Sequence, residues 1–379
     1  MRPGAVRRGT ARAARRLAAR SALVAVLAPC AIGSWACGDD SSAASAPTFR
    51  PLGTLDGYDG GSDALGISAD GRVVVGRAFS VDDVQAFSWT ADGGMVGLGF
   101  VRGFPYSIAH GVNRDGTPIV GLAFDRAGQD AWRWTASTGM QHLGGELDLT
   151  PCLANDVAAD RAIAVGAVGC FTQPQAYRWT EAGGIEGLGW LNPNGNPKTS
   201  EAKSVSADGA VIVGLSSSPS EPDRPHATRW TSAGVEQLPS LADASSSVAW
   251  AVSDNGVYVV GNSNFDYGFE ATRWDAGGAR SLHDIEQRHP ASIAYAVSDD
   301  GRVAVGSADI DGERVAFVWT ADDGMRALRD ILVEHGLAAQ IDGWMLDTLF
   351  DVTPDGLRVV GSGYPPSGVL QGFVVTLRD

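Results

Sequence analysis

Acidic side chains followed by glycine recur along this 379-residue chain and are its first candidates for chemistry. Asp-rich loops can bind calcium through carboxylate oxygens. Each copy here has only one or two carboxylates, and its glycine supplies the positive φ that a tight turn between two β-strands needs. These residue pairs therefore predict hairpin turns. They are Asp70-Gly71, Asp115-Gly116, Asp208-Gly209, Asn255-Gly256, Asp300-Gly301 and Asp355-Gly356.

The segment 309–313 is the exception, because Asp309, Asp311 and Glu313 bring three carboxylates into one loop. It is a minor metal candidate, and the overall expectation is a chain that holds no metal and no cofactor. The six histidines share no metal-ligand spacing. Gly66-Ile67-Ser68 lies in a repeated strand and lacks the strand-turn-helix setting of a nucleophile elbow. The sequence therefore predicts no catalytic residues.

The hairpins belong to a longer repeat, marked by the glycine that ends the second apolar run of each copy. Successive markers lie 45, 45, 48, 47, 45 and 55 residues apart. Six tryptophans form a second series on the third run of each copy, and we expect them in the core. The markers are Gly76, Gly121, Gly166, Gly214, Gly261, Gly306 and Gly361, and the tryptophans are Trp89, Trp134, Trp179, Trp230, Trp274 and Trp319.

Repeats of this length with about four strands each indicate a propeller or a β-solenoid. The two ends of the repeat region distinguish these folds. The last copy lacks a fourth strand, whereas residues 49–53 resemble the fourth strand of other copies, such as residues 95–99. The sequence therefore predicts an all-β, seven-bladed propeller of four-stranded blades over 48–379, whose last blade is completed by the N-terminal strand.

The longest spacing between markers contains a helical pattern. Leu328, Ile331, Leu332 and His335 recur at helical spacing, and Gly336 follows as a stop signal. We therefore expect a short amphipathic helix near 327–335, inserted after the sixth blade.

The first 36 residues have the features of a signal peptide. Seven arginines and no acidic residue precede or flank a short apolar run at 22–32. The formal net charge of −15 therefore becomes −22 from Cys37 onward. Such an acidic chain is not expected to bind nucleic acid or anionic membrane surfaces. Export to the cell envelope or the medium is the predicted localisation.

Cys37 follows Ser34-Trp35-Ala36 and begins a segment like the start of mature bacterial lipoproteins. Lipid attachment at Cys37 is the favoured interpretation and would give the only membrane contact; cleavage and secretion without lipid is the alternative. Ser34 departs from the usual apolar residue of such a site. Residues 37–47 are small and polar, which predicts a flexible tether.

Cys152 and Cys170 fall in one repeat, on either side of the turn at 159–160. Antiparallel pairing would place them nearly opposite each other at the open end of one hairpin. An exported chain favours a disulfide between them, with two buried free thiols as the alternative.

The repeats resemble the HAF repeat family of extracellular bacterial proteins. The resemblance covers about 49–379 and rests on the run Ala-x-x-Ile/Val-Ser-x-Asp-Gly, the Val-Val-Gly run, and Ala-Phe-Ser-Trp-Thr at 86–90. Gly93-Gly94-Met95 and Gly343-Trp344 add to it. The His of the family's His-Ala-Phe survives only at His226-Ala227. The resemblance implies an exported repeat protein and no particular reaction.

Loops that vary in length on a fixed scaffold are where recognition usually lies. Five aromatic residues fall in such links and could line a sugar or peptide surface, although anchoring of their own loops is the favoured interpretation. They are Phe104, Tyr106, Trp190, Phe265 and Tyr267.

Three functions follow from this pattern. The first is an exported, non-enzymatic propeller that binds an extracellular protein or glycan. The second is a propeller hydrolase or lyase acting on polysaccharide, because a ring can gather carboxylates from several blades around its axis. The third is a purely structural surface protein.

Overall fold

The computed structural model describes residues 47–144, 151–160, 162–195, 198–219, 221, 223–283, 291–310 and 312–377. The predicted signal peptide 1–36, Cys37 and the tether up to residue 46 lie outside these residues, as does Asp311 of the minor metal candidate. In the described residues, no helix is both long and apolar enough to cross a membrane.

Seven antiparallel sheets of four strands each form the fold, which confirms the predicted seven-bladed propeller. Blade 1 consists of β2 (Gly61–Ile67), β3 (Val73–Phe79), β4 (Val84–Thr90) and β5 (Gly94–Gly99), and blade 2 of β6 (Tyr106–Val112), β7 (Ile119–Phe124), β8 (Gln129–Thr135) and β9 (Gly139–His142). Blade 3 consists of β10 (Pro151–Val157), β11 (Ile163–Val168), β12 (Gln175–Thr180) and β13 (Gly184–Gly189), and blade 4 of β14 (Ser200–Val205), β15 (Ile212–Ser217), β16 (Pro225–Thr231) and β17 (Gly234–Gln237).

Blades 5 to 7 complete the ring. Their strands are β18 (Ser246–Val252), β19 (Val259–Phe265), β20 (Gly268–Asp275) and β21 (Gly278–Ser281); β22 (Ser292–Val297), β23 (Val303–Ile310), β24 (Glu313–Thr320) and β25 (Gly324–Ala327); and β26 (Met345–Val352), β27 (Arg358–Tyr364), β28 (Gln371–Thr376) and β1 (Thr48–Pro51).

The N-terminal strand closes the ring as predicted. β1 pairs antiparallel with β28, so that Thr48 lies opposite Thr376 and Pro51 opposite Phe373. The first and last strands of the described chain thus share one sheet, and no blade is left with an unpaired apolar face.

The first strand of each blade contacts the first strands of both neighbouring blades, so these strands surround the axis. The hairpin turns between first and second strands form one face of the ring, which we call the turn face. The links between blades and the hairpins between second and third strands form the opposite face, which we call the link face.

Every first strand contains a β-bulge at the same place. In blade 1, Ala64 pairs with Gly76 and Gly66 with Val75, which leaves Leu65 as the extra residue. The other six blades repeat this shift. The marker glycine explains the repeat: a Cβ on Gly76 would lie 1.9 Å from the carbonyl oxygen of Asp63. Only glycine leaves room for the bulged partner strand.

A buried serine joins neighbouring blades. Ser107 Oγ accepts a hydrogen bond from the Ala86 N–H at 3.0 Å and donates one to the Gly99 carbonyl at 2.8 Å, both in the preceding blade. The Ala86 N–H lies in β4, the third strand of blade 1. Ala86 is at a bulge in the pairing of β4 with the fourth strand, β5. Equivalent serines accept an N–H from the preceding blade at Ser62, Ser200, Ser247 and Ser292.

The predicted disulfide is confirmed. Cys152 and Cys170 are bonded, with their Cα atoms 6.1 Å apart. Cys152 occupies the position that the joining serine holds in blades 1, 2, 4, 5 and 6. Blade 3 therefore replaces a polar contact to its neighbour with a covalent link within itself.

Most of the tryptophan series lies in the core, as the sequence predicts. Trp89, Trp230, Trp274 and Trp319 are buried, whereas Trp134 and Trp179 are only partly so. Burial of aromatic surface between adjacent sheets is a large stabilising contribution in such a ring.

Helix α1 (Leu328–Glu334) lies inside the segment for which the sequence predicts a helix, and its Leu328 and Leu332 are buried. The residues after it return to blade 7, where the tryptophan series has Val375 instead. Trp344 packs there with its ring centroid 5.1 Å from that of Phe49. The insert thus supplies aromatic surface to the blade that lacks the repeated tryptophan.

Candidate functional site

The seven bulges aim seven different side chains into one cavity on the link-face side of the axis. The cavity has a volume of about 440 Å³. Because each of these residues is the extra one of its bulge, it has no direct cross-strand partner. In blade order the residues are Leu65, His110, Asn155, Lys203, Trp250, Tyr295 and Phe350, and we call this set the axial ring.

Three consecutive blades give the axial ring a polar side. Lys203 Nζ lies 2.6 Å from Glu201 Oε1, and Asn155 Nδ2 donates to the same oxygen at 2.9 Å. Arg77 reaches the cavity from the second strand of blade 1 and forms two hydrogen bonds with Asp63, at 2.9 and 2.7 Å. The two cations of this side are thus each paired with a carboxylate.

His110 completes the polar side as a neutral imidazole. Its Nδ1–H donates to the carbonyl of Ala154 at 3.1 Å. The pKa of His110 is lowered to about 4, chiefly by burial; the nearby Lys203 and Arg77 charges act in the same direction, and that hydrogen bond and the Glu201 charge oppose them. Nε2 is therefore an acceptor at neutral pH.

The next three blades give the axial ring an aromatic side. The Trp250 and Tyr295 ring centroids are 5.6 Å apart, and those of Tyr295 and Phe350 are also 5.6 Å apart. Trp250 Nε1 donates to Asn262 Oδ1 at 2.8 Å, which fixes the indole. We call Trp250, Tyr295 and Phe350 the aromatic arc. Lys203 Nζ lies 4.7 Å from the Trp250 ring centroid, where the two sides meet.

Two carboxyl groups form the floor of the cavity. Each belongs to the residue that directly follows an axial-ring residue on its first strand, in blade 3 and in blade 7. Asp351 Oδ2 accepts from the Ile67 N–H at 2.9 Å, and Asp156 Oδ2 from the Val205 N–H at 3.0 Å. Burial raises the pKa of Asp351 to about 7 and that of Asp156 to about 6. Both groups can hold a proton near neutral pH.

The turn-face end of the axis is occupied by Arg114. Its Nε donates to Asp160 Oδ1 at 2.8 Å, and its Nη2 lies 3.8 Å from Asp254 Oδ2, three blades further round the ring. A cavity of only about 90 Å³ lies along the axis between the floor carboxyls and this end. Arg114 therefore bridges the axis at the turn face, and the 440 Å³ cavity lies toward the link face.

The five aromatic residues predicted as a binding surface are not brought together, and none lines the axial cavity. Phe104 packs against the core of blade 2. Tyr106 is the first residue of β6 and packs on Phe124, with ring centroids 5.1 Å apart. Both side chains support their own link in this arrangement.

The other three remain accessible at separate places on the link face. Trp190 lines a cavity of about 410 Å³ beside the disulfide, and its Nε1 donates to the Pro174 carbonyl at 3.2 Å. Phe265 and Tyr267 stack on each other in blade 5, with ring centroids 5.0 Å apart, and Tyr267 is 49% exposed.

The axial ring is the group that sequence reasoning missed. Its signal lies in the run Ala-x-x-Val/Ile-Ser, whose first x changes from copy to copy while the alanine before it is kept in six copies. A periodic pattern identifies the repeated positions as scaffold, and the variable position within it is where the copies can differ in function.

Comparisons with known proteins agree on the fold alone. No protein-family model matches this sequence, and neither does any curated protein sequence. Among solved structures, the chain is similar to oligogalacturonate lyase from Vibrio parahaemolyticus, with 11% identity, a TM-score of 0.52, and coverage of 88% of this chain and 97% of the lyase. It is also similar to the WD40 propeller domain of Doa1, with 14% identity, a TM-score of 0.48, and coverage of 86% and 96%.

Proposed function

We propose that this protein is an exported, non-enzymatic propeller that binds the end of an extracellular glycan in its axial cavity. The observation that carries the proposal is the division of the axial ring into a polar side and an aromatic side. A sugar presents apolar C–H faces and hydroxyl edges, and such a cavity offers a surface for each. Because Arg114 blocks the turn-face end of the axis, the cavity favours the end of a glycan over a glycan chain that passes through the ring.

β1 begins on the turn face, on the opposite side of the ring from the opening of the axial cavity. Thr48 lies opposite Thr376, which ends the third strand of blade 7 on the turn face.

Capture of envelope polysaccharides on immobilised protein tests the proposal. We expect Trp250→Ala to reduce retention at least tenfold, since it removes one end of the aromatic arc. Tyr267→Ala is the comparison variant, because Tyr267 is an exposed aromatic residue on the same face outside the cavity. Equal retention by wild type and Trp250→Ala, or loss only in Tyr267→Ala, would contradict binding at the axis.

A polysaccharide hydrolase or lyase is the second candidate, favoured by the two floor carboxyls with raised pKa values. Against it, both oxygens of Asp351 already accept backbone hydrogen bonds, from Ile67 and Val352, and those of Asp156 accept from Val205 and Val157. These contacts assign the carboxyls to the scaffold. Release of new reducing ends by wild type, abolished in Asp156→Asn, would favour the enzyme instead.

A further inference from the structure

We infer that the axial cavity takes a ligand whose terminal group is a cation, such as the ammonium of an amino sugar. The inference rests on the proposed function and adds the charge of the group that enters. Three observations support it: the pairing of the cavity's own cations, the uncompensated floor carboxyls, and the position of an ammonium already present on the aromatic arc.

Above about pH 7, where both floor carboxyls are ionised, charge in the cavity is unbalanced toward negative. Arg77 and Lys203 are neutralised by Asp63 and Glu201. In the described part of the chain, the floor carboxyls accept hydrogen bonds only from backbone N–H groups and the Ser204 hydroxyl, all of which are neutral. His110 is neutral as well. An entering cation would compensate the floor, whereas an anionic group would be repelled by it.

The aromatic arc has the form of a partial cage. Three aromatic side chains on adjacent blades meet at centroid distances of 5.6 Å, and ring faces attract cations through their quadrupole. Lys203 Nζ, 4.7 Å from the Trp250 centroid, shows that this arc already accommodates an ammonium from within the chain. In the described residues no cation lies over the ring of Tyr295 or Phe350, although the Arg314 guanidinium hydrogen-bonds to the Tyr295 hydroxyl.

A matched pair of small probes tests the charge. Choline and 3,3-dimethylbutan-1-ol have nearly the same shape, but only choline is a cation, and its charge is independent of pH. Titration of the full chain by calorimetry should give at least a tenfold tighter dissociation constant for choline. Equal affinity, a preference for the alcohol, or no choline binding at 100 mM overturns the inference.

Two variants at the arc and one control locate the binding. Trp250→Ala should weaken choline at least tenfold, and Tyr267→Ala should leave it unchanged. Lys203→Met should tighten choline at least threefold, because it removes the competing ammonium from Trp250 and frees the charge of Glu201. This variant keeps the test valid if Trp250→Ala fails to fold. Weaker choline binding by Lys203→Met would contradict a cation site on the arc.

A sugar pair separates a free cation from a glycan end. The trisaccharide of glucosamine should bind more tightly than choline and more tightly than its N-acetylated counterpart. A trisaccharide weaker than choline would assign the cavity to a small free cation and count against the proposed glycan function. Conversely, polysaccharide capture could depend on Trp250 while choline binds no more tightly than the alcohol. That result would support the glycan function and contradict the inference that the ligand is a cation.

Discussion

Asp351 Oδ2 accepts a hydrogen bond from the backbone N–H of Ile67 at 2.9 Å, although the two residues lie 284 positions apart in the chain. The bond joins blade 7 to blade 1 at the axis. Asp156 makes the same contact from blade 3 to Val205 of blade 4, and Ser204 from blade 4 to Val252 of blade 5. The closure of the ring thus depends on side chains at its centre as well as on β1 at its edge.

Asp351 should make stability depend on pH. Its pKa is about 7 in the folded chain and about 3.9 when unfolded. Between these pH values the folded state holds a proton that the unfolded state releases. The contribution of Asp351 to the free energy of unfolding therefore falls as the pH rises from 4 to 7. Asp156 acts in the same direction, whereas His110, with its lowered pKa, acts in the opposite one.

The Asp351→Asn variant isolates that contribution, because Asn is uncharged at every pH. We expect the drop in the free energy of unfolding between pH 5 and pH 8 to be smaller in the variant by about 2 kcal/mol. Urea denaturation at both pH values measures it. Identical pH dependence in the two proteins would show that the Asp351 carboxyl does not change protonation in this range.

Ser247→Ala should weaken the contact between blades 4 and 5. The change leaves the buried N–H of Ala227, which donates to Ser247 Oγ at 2.9 Å, without its acceptor. The expected loss in the free energy of unfolding is about 1–3 kcal/mol. The exposed Ser232→Ala is the matched control, with an expected change within about 0.5 kcal/mol. Equal losses in the free energy of unfolding for the two variants would contradict the role of Ser247 in joining blades 4 and 5.

Gly261→Ala should be severely destabilising. A Cβ at this marker position would lie 1.9 Å from the Val248 carbonyl oxygen, so the bulge that carries Trp250 would have to shift. We expect a loss of about 3 kcal/mol or more, or insoluble protein. At Gly128 a Cβ meets nothing within 4 Å, so Gly128→Ala should be neutral. Thermal unfolding of both variants decides whether the marker glycine is required.

Cys37→Ser tests the predicted lipid attachment. Lipidated wild type should label with radioactive palmitate and sediment with membranes, since acyl chains anchor a protein to a bilayer. The variant should lose the label and appear in the soluble fraction. Cys30→Ser, inside the predicted signal peptide, should behave as wild type. Absence of label on wild type would favour secretion without lipid.

The sequence alone determined the seven blades, the closure by the N-terminal strand, and the disulfide. These depend on local signals that recur at a constant spacing: a turn glycine, a marker glycine and a tryptophan series. Each signal is read within one hairpin, where neighbours in sequence are neighbours in space. Repetition then adds evidence from copy to copy.

Only the tertiary structure decided where the candidate site lies. His110 and Tyr295 are 185 positions apart in the sequence, yet both line one cavity because ring closure brings the first strand of every blade to the axis. The loop aromatics are conspicuous in the sequence because they interrupt the repeat, whereas the axial ring is hidden inside it. The pKa values of Asp351 and His110 depend on burial at that axis, which no local pattern encodes.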